Sequence, residues 1–226
     1  MHKYPIGIQT FSEIRNGGYL YVDKTDMIWE MTKLKFVFLS RPRRFGKSLL
    51  STTLHSYFEG QRELFEGLKI MELEKDWERY PVLHVDLSIA KNRVSSEHLQ
   101  QALLSLLEPL VEQFGKGESE VTPGEVLRGL IRRAYEKTGK QVVVIIDEYD
   151  APLLDVLHDK EKLPDFRRIM QEFYQPLKAS EAMIRFCFIT GITKFSQLSI
   201  FSTINNIRTY RSCPNLPQFV VSPKQN

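Results

Sequence analysis

Two short stretches of this sequence combine residue types that bind phosphate and a divalent metal. Residues 40–50 read SRPRRFGKSLL and carry Gly46, Lys47 and Ser48 in succession. Glycine lets the backbone approach phosphate oxygens, lysine neutralises them, and a serine hydroxyl can ligate Mg²⁺. Residues 141–150 read QVVVIIDEYD and place Asp147 and Glu148 after an aliphatic run. Together the two stretches predict a site where a nucleoside triphosphate meets Mg²⁺.

The first stretch reads as a strand, a basic turn and a helix. Residues 36–40 are apolar, aromatic and β-branched, which predicts a buried strand, and apolar residues recur at helical spacing over 47–58. A helix that begins near Gly46 directs its free N–H groups and its positive dipole end at a phosphate. The residues expected to contact the nucleotide are Arg43, Arg44, Phe45, Gly46, Lys47, Ser48 and Leu49.

This turn, residues 41–46 and called the phosphate loop below, departs from the full G-x-x-x-x-G-K-[ST] pattern. Arg41 stands where that pattern has its first glycine. We therefore expect the opening residue to adopt unusual backbone angles at an energetic cost. Arg41, Arg43 and Arg44 also crowd the turn with positive charge.

The second stretch reads as a strand buried on both faces, because five β-branched aliphatic residues occupy 142–146. Open α/β sheets bind their ligands at the carboxyl ends of such strands. We expect Asp147 to hold Mg²⁺ through water, and Glu148 to orient and deprotonate the attacking water. The alternative is a strand that ends in a polar turn. Because both motifs follow buried strands in this order, we favour a P-loop nucleotide-binding domain.

Two further strand ends carry polar side chains. Residues 184–191 predict a buried strand, and Thr190 at its end is a candidate sensor of the γ-phosphate or attacking water, or else a helix-capping hydroxyl. Strand 82–87 ends near Asp86, which we interpret as a cap or turn residue rather than a metal ligand. His84, inside that strand, is interpreted as a half-buried histidine with satisfied hydrogen bonds.

The remaining pattern predicts amphipathic helices over 95–114 and 124–137. Before the phosphate loop, residues 19–23 predict a short strand, and 26–34 predict a helix capped by Asp23 or Thr25. This leading segment either packs near an adenine or is a structural lead-in to the sheet, and we favour the second interpretation.

Composition places the chain among ordinary soluble globular proteins. Of its 226 residues 42% are hydrophobic and 26% are charged, and the net charge is +3. The sequence contains no stretch apolar and long enough to span a bilayer, and no secretory signal is recognisable. Two isolated cysteines form neither a disulfide framework nor a metal site. We expect a cytoplasmic protein without a membrane partner.

The chain resembles the AAA-ATPase-like family common in bacteria and some archaea, over about residues 4–206. The segments that carry the resemblance are 21–25, 40–48, 147–150 and 190–195. It implies a P-loop NTPase of the additional-strand (ASCE, AAA-like) type, an α/β three-layer sandwich with a mainly parallel sheet, that uses ATP and Mg²⁺. It also implies that Lys47 and Ser48 bind phosphates and metal, that Asp147 binds metal and that Glu148 is the catalytic base. Arg41 in place of glycine is normal in that family.

The resemblance implies that members commonly continue into a nuclease-like region of the PD-(D/E)XK type, and we expect these 226 residues to lack it. We count candidate strands at 36–40, 82–87, 142–147 and 185–190, and none beyond 208, where a complete fold needs a fifth strand and usually a lid. The expected division is a lead-in at 1–35, an ATPase domain at 36–207 and an irregular or disordered tail at 208–226. We therefore expect a fold incomplete at the carboxyl terminus, from a fragment or truncated product.

Three functions remain open at this stage. The first is Mg²⁺-dependent ATP hydrolysis in the full-length context, with Glu148, Lys47 and Thr190 as catalytic residues. The second is a nucleotide-gated interaction module with little hydrolysis. The third is the ATPase part of a nucleic-acid processing protein, with the nucleic acid bound by the missing region. A homo-oligomer that supplies an arginine finger is a further expectation, with no residue to name for it.

Overall fold

The computed structural model describes residues 3–91, 93–193 and 208–209, which form a parallel β-sheet between two layers of helices. The strands are β1 (Phe36–Ser40), β2 (Val82–Asp86), β3 (Val142–Asp147), β4 (Ile184–Gly191) and β5 (Arg208–Thr209). Their order in the sheet is β2-β3-β4-β1-β5. The α-helices of the described residues are α1 (Phe11–Asn16), α2 (Thr25–Thr32), α3 (Lys47–Phe58), α4 (Ile70–Leu73), α5 (Ser96–Phe114), α6 (Pro123–Thr138), α7 (Ala151–Leu154) and α8 (Leu163–Ala179).

The sheet is buried on both faces, as its aliphatic strands predict. Along β1, Phe36 and Phe38 enter one hydrophobic cluster, and the alternating Val37 and Leu39 enter another. The first cluster includes buried residues of α5, α6 and α8, and the second includes residues of α2 and α3. Successive side chains of a strand point to opposite faces, so this division places the sheet between two helical layers. The α/β sandwich expected of a P-loop NTPase is confirmed.

The two long helices predicted from apolar spacing form close to their expected positions, as α5 and α6. The start of α6 is fixed by a reciprocal cap, because the Thr122 side chain accepts the Glu125 N–H while the Glu125 carboxylate accepts the Thr122 N–H. Gly139 ends the helix in the left-handed conformation with φ 65°.

The segment before β1 packs on a third hydrophobic cluster and does not form the strand predicted over 19–23. That prediction is wrong: the only β contact in these five residues is an isolated bridge between Tyr19 and Lys3. The Tyr21 ring instead packs edge-on against Phe11, with 5.1 Å between ring centroids. Tyr21 therefore packs on helix α1 rather than forming part of a strand.

Polar contacts fasten this leading segment to the rest of the domain. The Asp23 carboxylate accepts the N–H groups of Thr25 at 2.9 Å and Lys69 at 2.7 Å. The Phe11 N–H donates to the Thr52 hydroxyl of α3 at 3.1 Å. These bonds support the structural lead-in, and a contact with adenine stays a prediction.

A fifth strand occupies the edge of the sheet beside β1, where the sequence predicted none. Arg208–Thr209 runs parallel to β1 and pairs with Val37 and Phe38. Two residues are too few to show the alternation by which a strand is recognised, which explains the error. The rest of 196–226, including any lid, lies outside the described residues. No helix among those described combines the length and apolarity needed to cross a membrane.

Candidate functional site

The carboxyl ends of the parallel strands bring the predicted chemical groups to one edge of the sheet. The register pairs Leu39 with Thr190 across β1 and β4, and Asp86 with Asp147 across β2 and β3. Strand β4 lies between the strand that enters the phosphate loop and the strand that carries the acidic pair. The buried strand predicted over 184–191, with Thr190 near its end, is confirmed, and this strand lies beside β3.

The phosphate loop leads from β1 directly into α3. Gly46 precedes the helix in the left-handed conformation, with φ 71° and ψ 21°, which glycine adopts without strain. Arg44 also has a positive φ, of 67°, whereas Arg41 does not. The Arg41 N–H instead donates to the Gly191 carbonyl at 3.1 Å and so extends the pairing of β1 with β4. Our expectation of strained backbone at Arg41 is therefore wrong, and the strain falls at Arg44.

The loop side chains divide into buried and exposed groups. Lys47 is only 5% exposed, and its ammonium donates to the Pro42 carbonyl at 3.2 Å, so the side chain folds over the loop. Arg43 and Arg44 are exposed, and Phe45 is half-buried. The remaining two predicted contact residues, Ser48 and Leu49, lie half-buried in the first turn of α3.

Asp147 and Thr190 are joined by a hydrogen bond at the centre of this edge. The Thr190 hydroxyl donates to Asp147 Oδ1, and both residues are almost completely buried. The Glu148 N–H lies 3.1 Å from the same carboxylate oxygen and 3.3 Å from the Thr190 hydroxyl oxygen. Thr190 therefore contacts the acidic pair and does not act as the helix cap that the sequence left open.

Glu148 is held through its side chain as well as its backbone. Its φ of 50° lies in the left-handed region, which is unfavourable for a residue with a Cβ. Its carboxylate oxygen Oε2 lies 2.6 Å from the Lys91 ammonium. Sequence reasoning missed Lys91, because it lies 57 residues from Glu148 and no local spacing connects them. One signal could have indicated it: Lys91 follows β2, the strand beside β3, and so lies near the edge of the sheet that carries Glu148.

Residues 147–150 and 190–193 form a compact β3–β4 junction. Asp150 is completely buried, and its Oδ2 accepts the N–H groups of Ile192 at 3.0 Å and Thr193 at 2.6 Å. The Thr193 hydroxyl also donates to this oxygen, at 2.7 Å. Sequence reasoning assigned Asp150 no role, yet these bonds tie the end of the acidic strand to the segment that follows Thr190.

The Tyr149 side chain fills the centre of the β3–β4 junction. Its hydroxyl lies 3.0 Å from the Thr193 hydroxyl, and its ring packs edge-on against Phe38. Burial raises the pKa of Tyr149 well above its usual range, while the Thr193 hydrogen bond acts in the opposite direction. A Cβ built on Gly191 would overlap the Tyr149 ring and lie 2.7 Å from Asp150 Oδ1. The junction therefore requires glycine at 191.

The two other polar residues considered on β2 have structural partners. Asp86 is exposed, and its Oδ1 accepts the Ser88 N–H at 2.8 Å to cap the 3-10 helix Leu87–Ala90. His84 contacts His55 of α3 through their Nδ1 atoms, 3.1 Å apart. Burial, and then the neighbouring His55, lower the pKa of His84 to about 4, while Asp86 acts in the opposite direction. Our interpretations of Asp86 as a cap and of His84 as a partnered, half-buried histidine are confirmed.

The donor set at this edge suits Mg²⁺ rather than a softer metal. The carboxylate of Asp147 and the hydroxyl of Ser48 are hard oxygen ligands, and Mg²⁺ sites commonly combine one or two protein oxygens with phosphate oxygens and water. Within 3–91 and 93–193, no group of three or more His, Cys, Asp and Glu side chains is arranged to hold a metal ion.

Comparison with known proteins adds two findings. The family model described as AAA-ATPase_like, predicted AAA-ATPase, matches residues 5–201. A protein of Azotobacter chroococcum mcd 1, named "Uncharacterized protein in vnfD 5'region", is 40% identical over 212 residues. That match covers 91% of this chain and 40% of the relative, so the chain spans less than half of the relative's length.

Proposed function

We propose that this chain, which belongs to the predicted AAA-ATPase family, binds ATP with Mg²⁺ at the carboxyl edge of its sheet and hydrolyses it. The observation that carries the proposal is the cluster of Asp147, Glu148 and Thr190, placed one strand away from the loop that opens α3. This arrangement supplies a metal ligand, a base and a polar sensor beside a helix start suited to phosphate.

The roles follow from the position of each group. The start of α3 and the Lys47 ammonium bind the phosphates and neutralise charge as it develops. Glu148 accepts a proton from water as the water oxygen bonds to the γ-phosphorus. The bond from that phosphorus to the β–γ bridging oxygen breaks, and ADP and inorganic phosphate leave. Thr190, fixed on Asp147, positions the water or the γ-phosphate.

A bound Mg²⁺ would be held by Ser48 and, through water, by Asp147. It would neutralise charge on the phosphate oxygens. The hydrogen bond from Thr190 fixes the Asp147 carboxylate, so this ligand is oriented by the protein's own residues.

The first test is ATP titration with and without Mg²⁺, together with a phosphate-release assay. Lys47→Ala removes a charge-assisted contact with phosphate, and we expect ATP affinity to fall about 10- to 100-fold. Glu148→Gln keeps the side chain's shape but cannot accept the proton, so turnover should fall at least about 100-fold with ATP affinity unchanged.

Two surface variants serve as matched controls, Lys178→Ala on α8 and Glu112→Gln on α5, because both residues are exposed and lie away from the sheet edge. Neither should change affinity or turnover. Equal turnover in Glu148→Gln and the wild type would contradict the role of Glu148 as base. Binding of ATP without measurable phosphate release from the wild type would instead favour the nucleotide-gated module.

The wider expectations from the sequence stay predictions. A homo-oligomer, a nucleic-acid partner, a nuclease-like extension and a cytoplasmic location gain no support from the described residues or from the comparisons. Because the chain spans less than half of the relative's length, we assign it no activity or partner of a longer protein.

A further inference from the structure

Lys91 is brought to the site by a rigid segment at the end of β2. Leu87 and Ala90 of the intervening 3-10 helix are buried in the main hydrophobic cluster. The Asp86 carboxylate fixes the start of that helix by accepting the Ser88 N–H. The backbone before Lys91 is therefore anchored in the core, and the lysine side chain extends from a fixed point.

The contact between Lys91 and Glu148 differs from an ordinary surface ion pair. The Nζ–Oε2 distance is 2.6 Å, and the two side chains are 25% and 19% exposed. Partial exclusion from water strengthens such a pair, whereas most exposed pairs contribute little. Glu148 is also restrained at its N–H by Asp147 and Thr190. Glu148 is thus held both at its backbone N–H and at its carboxylate.

A general base works only if its free oxygen is aimed at the proton that it accepts. The Lys91 ammonium donates to Oε2, which limits rotation of the carboxylate and leaves Oε1 as the oxygen that can accept the proton. Such preorganisation lowers the barrier of a reaction by reducing the freedom lost on the way to the transition state.

We propose that Lys91 is a positioning residue for Glu148 and holds the carboxylate in the orientation used for water attack. The inference rests on the ATP hydrolysis proposed above. The strand that leads to Lys91, β2, is separated from β1 and the phosphate loop by both β3 and β4, so we assign Lys91 no direct role in phosphate binding. Its removal should therefore reduce kcat and leave ATP affinity unchanged.

The test compares Lys91→Met and Lys91→Arg with the wild type in ATP titration and phosphate release. Methionine keeps much of the length of the side chain but lacks the charge, and we expect kcat to fall about 10- to 100-fold with the Kd for ATP unchanged within about twofold. Arginine keeps the charge and should recover most of the loss. Lys140→Met breaks a more exposed ion pair with Glu78 and should leave kcat at the wild-type value.

A double variant, Lys91→Met with Glu148→Gln, shows whether Lys91 acts by positioning Glu148 or only by supporting the structure. If Lys91 acts through Glu148, adding Lys91→Met to Glu148→Gln lowers the residual turnover no further. An equal loss in both backgrounds would overturn the proposal, as would an unchanged or increased kcat in Lys91→Met. If Lys91→Met fails to fold, Lys91→Gln replaces it, and the same outcomes apply.

The wild type distinguishes failure of this inference from failure of the proposed function. A wild-type chain that binds ATP but releases no phosphate overturns the proposed hydrolysis, and with it the role of Lys91. An active wild type, an inactive Glu148→Gln and a fully active Lys91→Met overturn only the role of Lys91.

Discussion

The phosphate loop and the β3–β4 junction lie at the same edge of the sheet, but they are fixed in different ways. Two residues of the loop take left-handed backbone angles, Arg44 and Gly46, and a Cβ built on Gly46 would meet no atom within 4 Å. In the junction, Asp150 and Tyr149 are buried and hydrogen-bonded, and Gly191 has no room for a Cβ. The loop is therefore shaped by backbone conformation, while the junction is shaped by side-chain packing.

The largest predicted effect contrasts alanine at the two glycines. Gly191→Ala forces its methyl group into the Tyr149 ring, so we expect the free energy of unfolding to fall by about 3 kcal/mol. Gly46→Ala has free space and pays only for its left-handed backbone, so the loss should be about 1 kcal/mol. Urea unfolding of both variants measures the two losses of unfolding free energy. Equal losses would contradict the contrast between the packed junction and the loop.

A smaller effect is expected at alkaline pH, where ionisation of Tyr149 should destabilise the junction. The pKa of Tyr149 is raised by burial, so its neutral form stabilises the fold below about pH 10, and this contribution is lost as the pH rises further. Tyr149→Phe removes the hydroxyl and should lower the free energy of unfolding by about 1 kcal/mol at pH 8. It should also weaken the drop in stability between about pH 9 and pH 11.

Tyr135→Phe is the control for this pH series, because Tyr135 is exposed on α6. Its stability should follow the wild type across the whole range. A drop in Tyr149→Phe as large as that of the wild type would mean that ionisation of this tyrosine does not destabilise the junction.

The smallest expected effect tests backbone strain in the loop. Arg44→Gly relieves the left-handed conformation but adds freedom to the unfolded chain, so stability should rise by about 0.5 kcal/mol. Arg43 is also exposed but has no positive φ, so Arg43→Gly should lower stability by a similar amount. Thermal unfolding of the two variants measures these stability changes. A loss of stability in Arg44→Gly would refute strain at that position.

Sequence reasoning succeeded where a pattern is local and repeated. The aliphatic run of β3 and the apolar spacing of α5 predicted buried elements, and the position of Thr190 near the end of a buried strand marked it as a candidate site residue. These inferences need only the periodicity of a strand or helix and the direction of the chain.

The same reasoning failed where geometry depends on contacts between distant segments. Lys91 reaches Glu148 from the segment that follows β2, and Asp150 accepts a hydrogen bond from a segment 42 residues away. Neither contact has a local signature. The sequence predicted backbone strain at Arg41, but the positive φ is at Arg44. Arg41 continues the pairing of β1 with β4, and the motif gives no sign of that pairing. The two-residue β5 was missed because it is too short to alternate.

The left-handed backbone at Glu148 lowers stability at the position of the proposed catalytic base. Glycine or asparagine adopts these angles more easily than glutamate, and neither has a side chain able to act as the proposed base. Selection of random variants for heat resistance alone would therefore tend to lose the glutamate, as stabilising substitutions at strained functional sites often sacrifice activity. Any effort to make this domain more robust should hold position 148 constant.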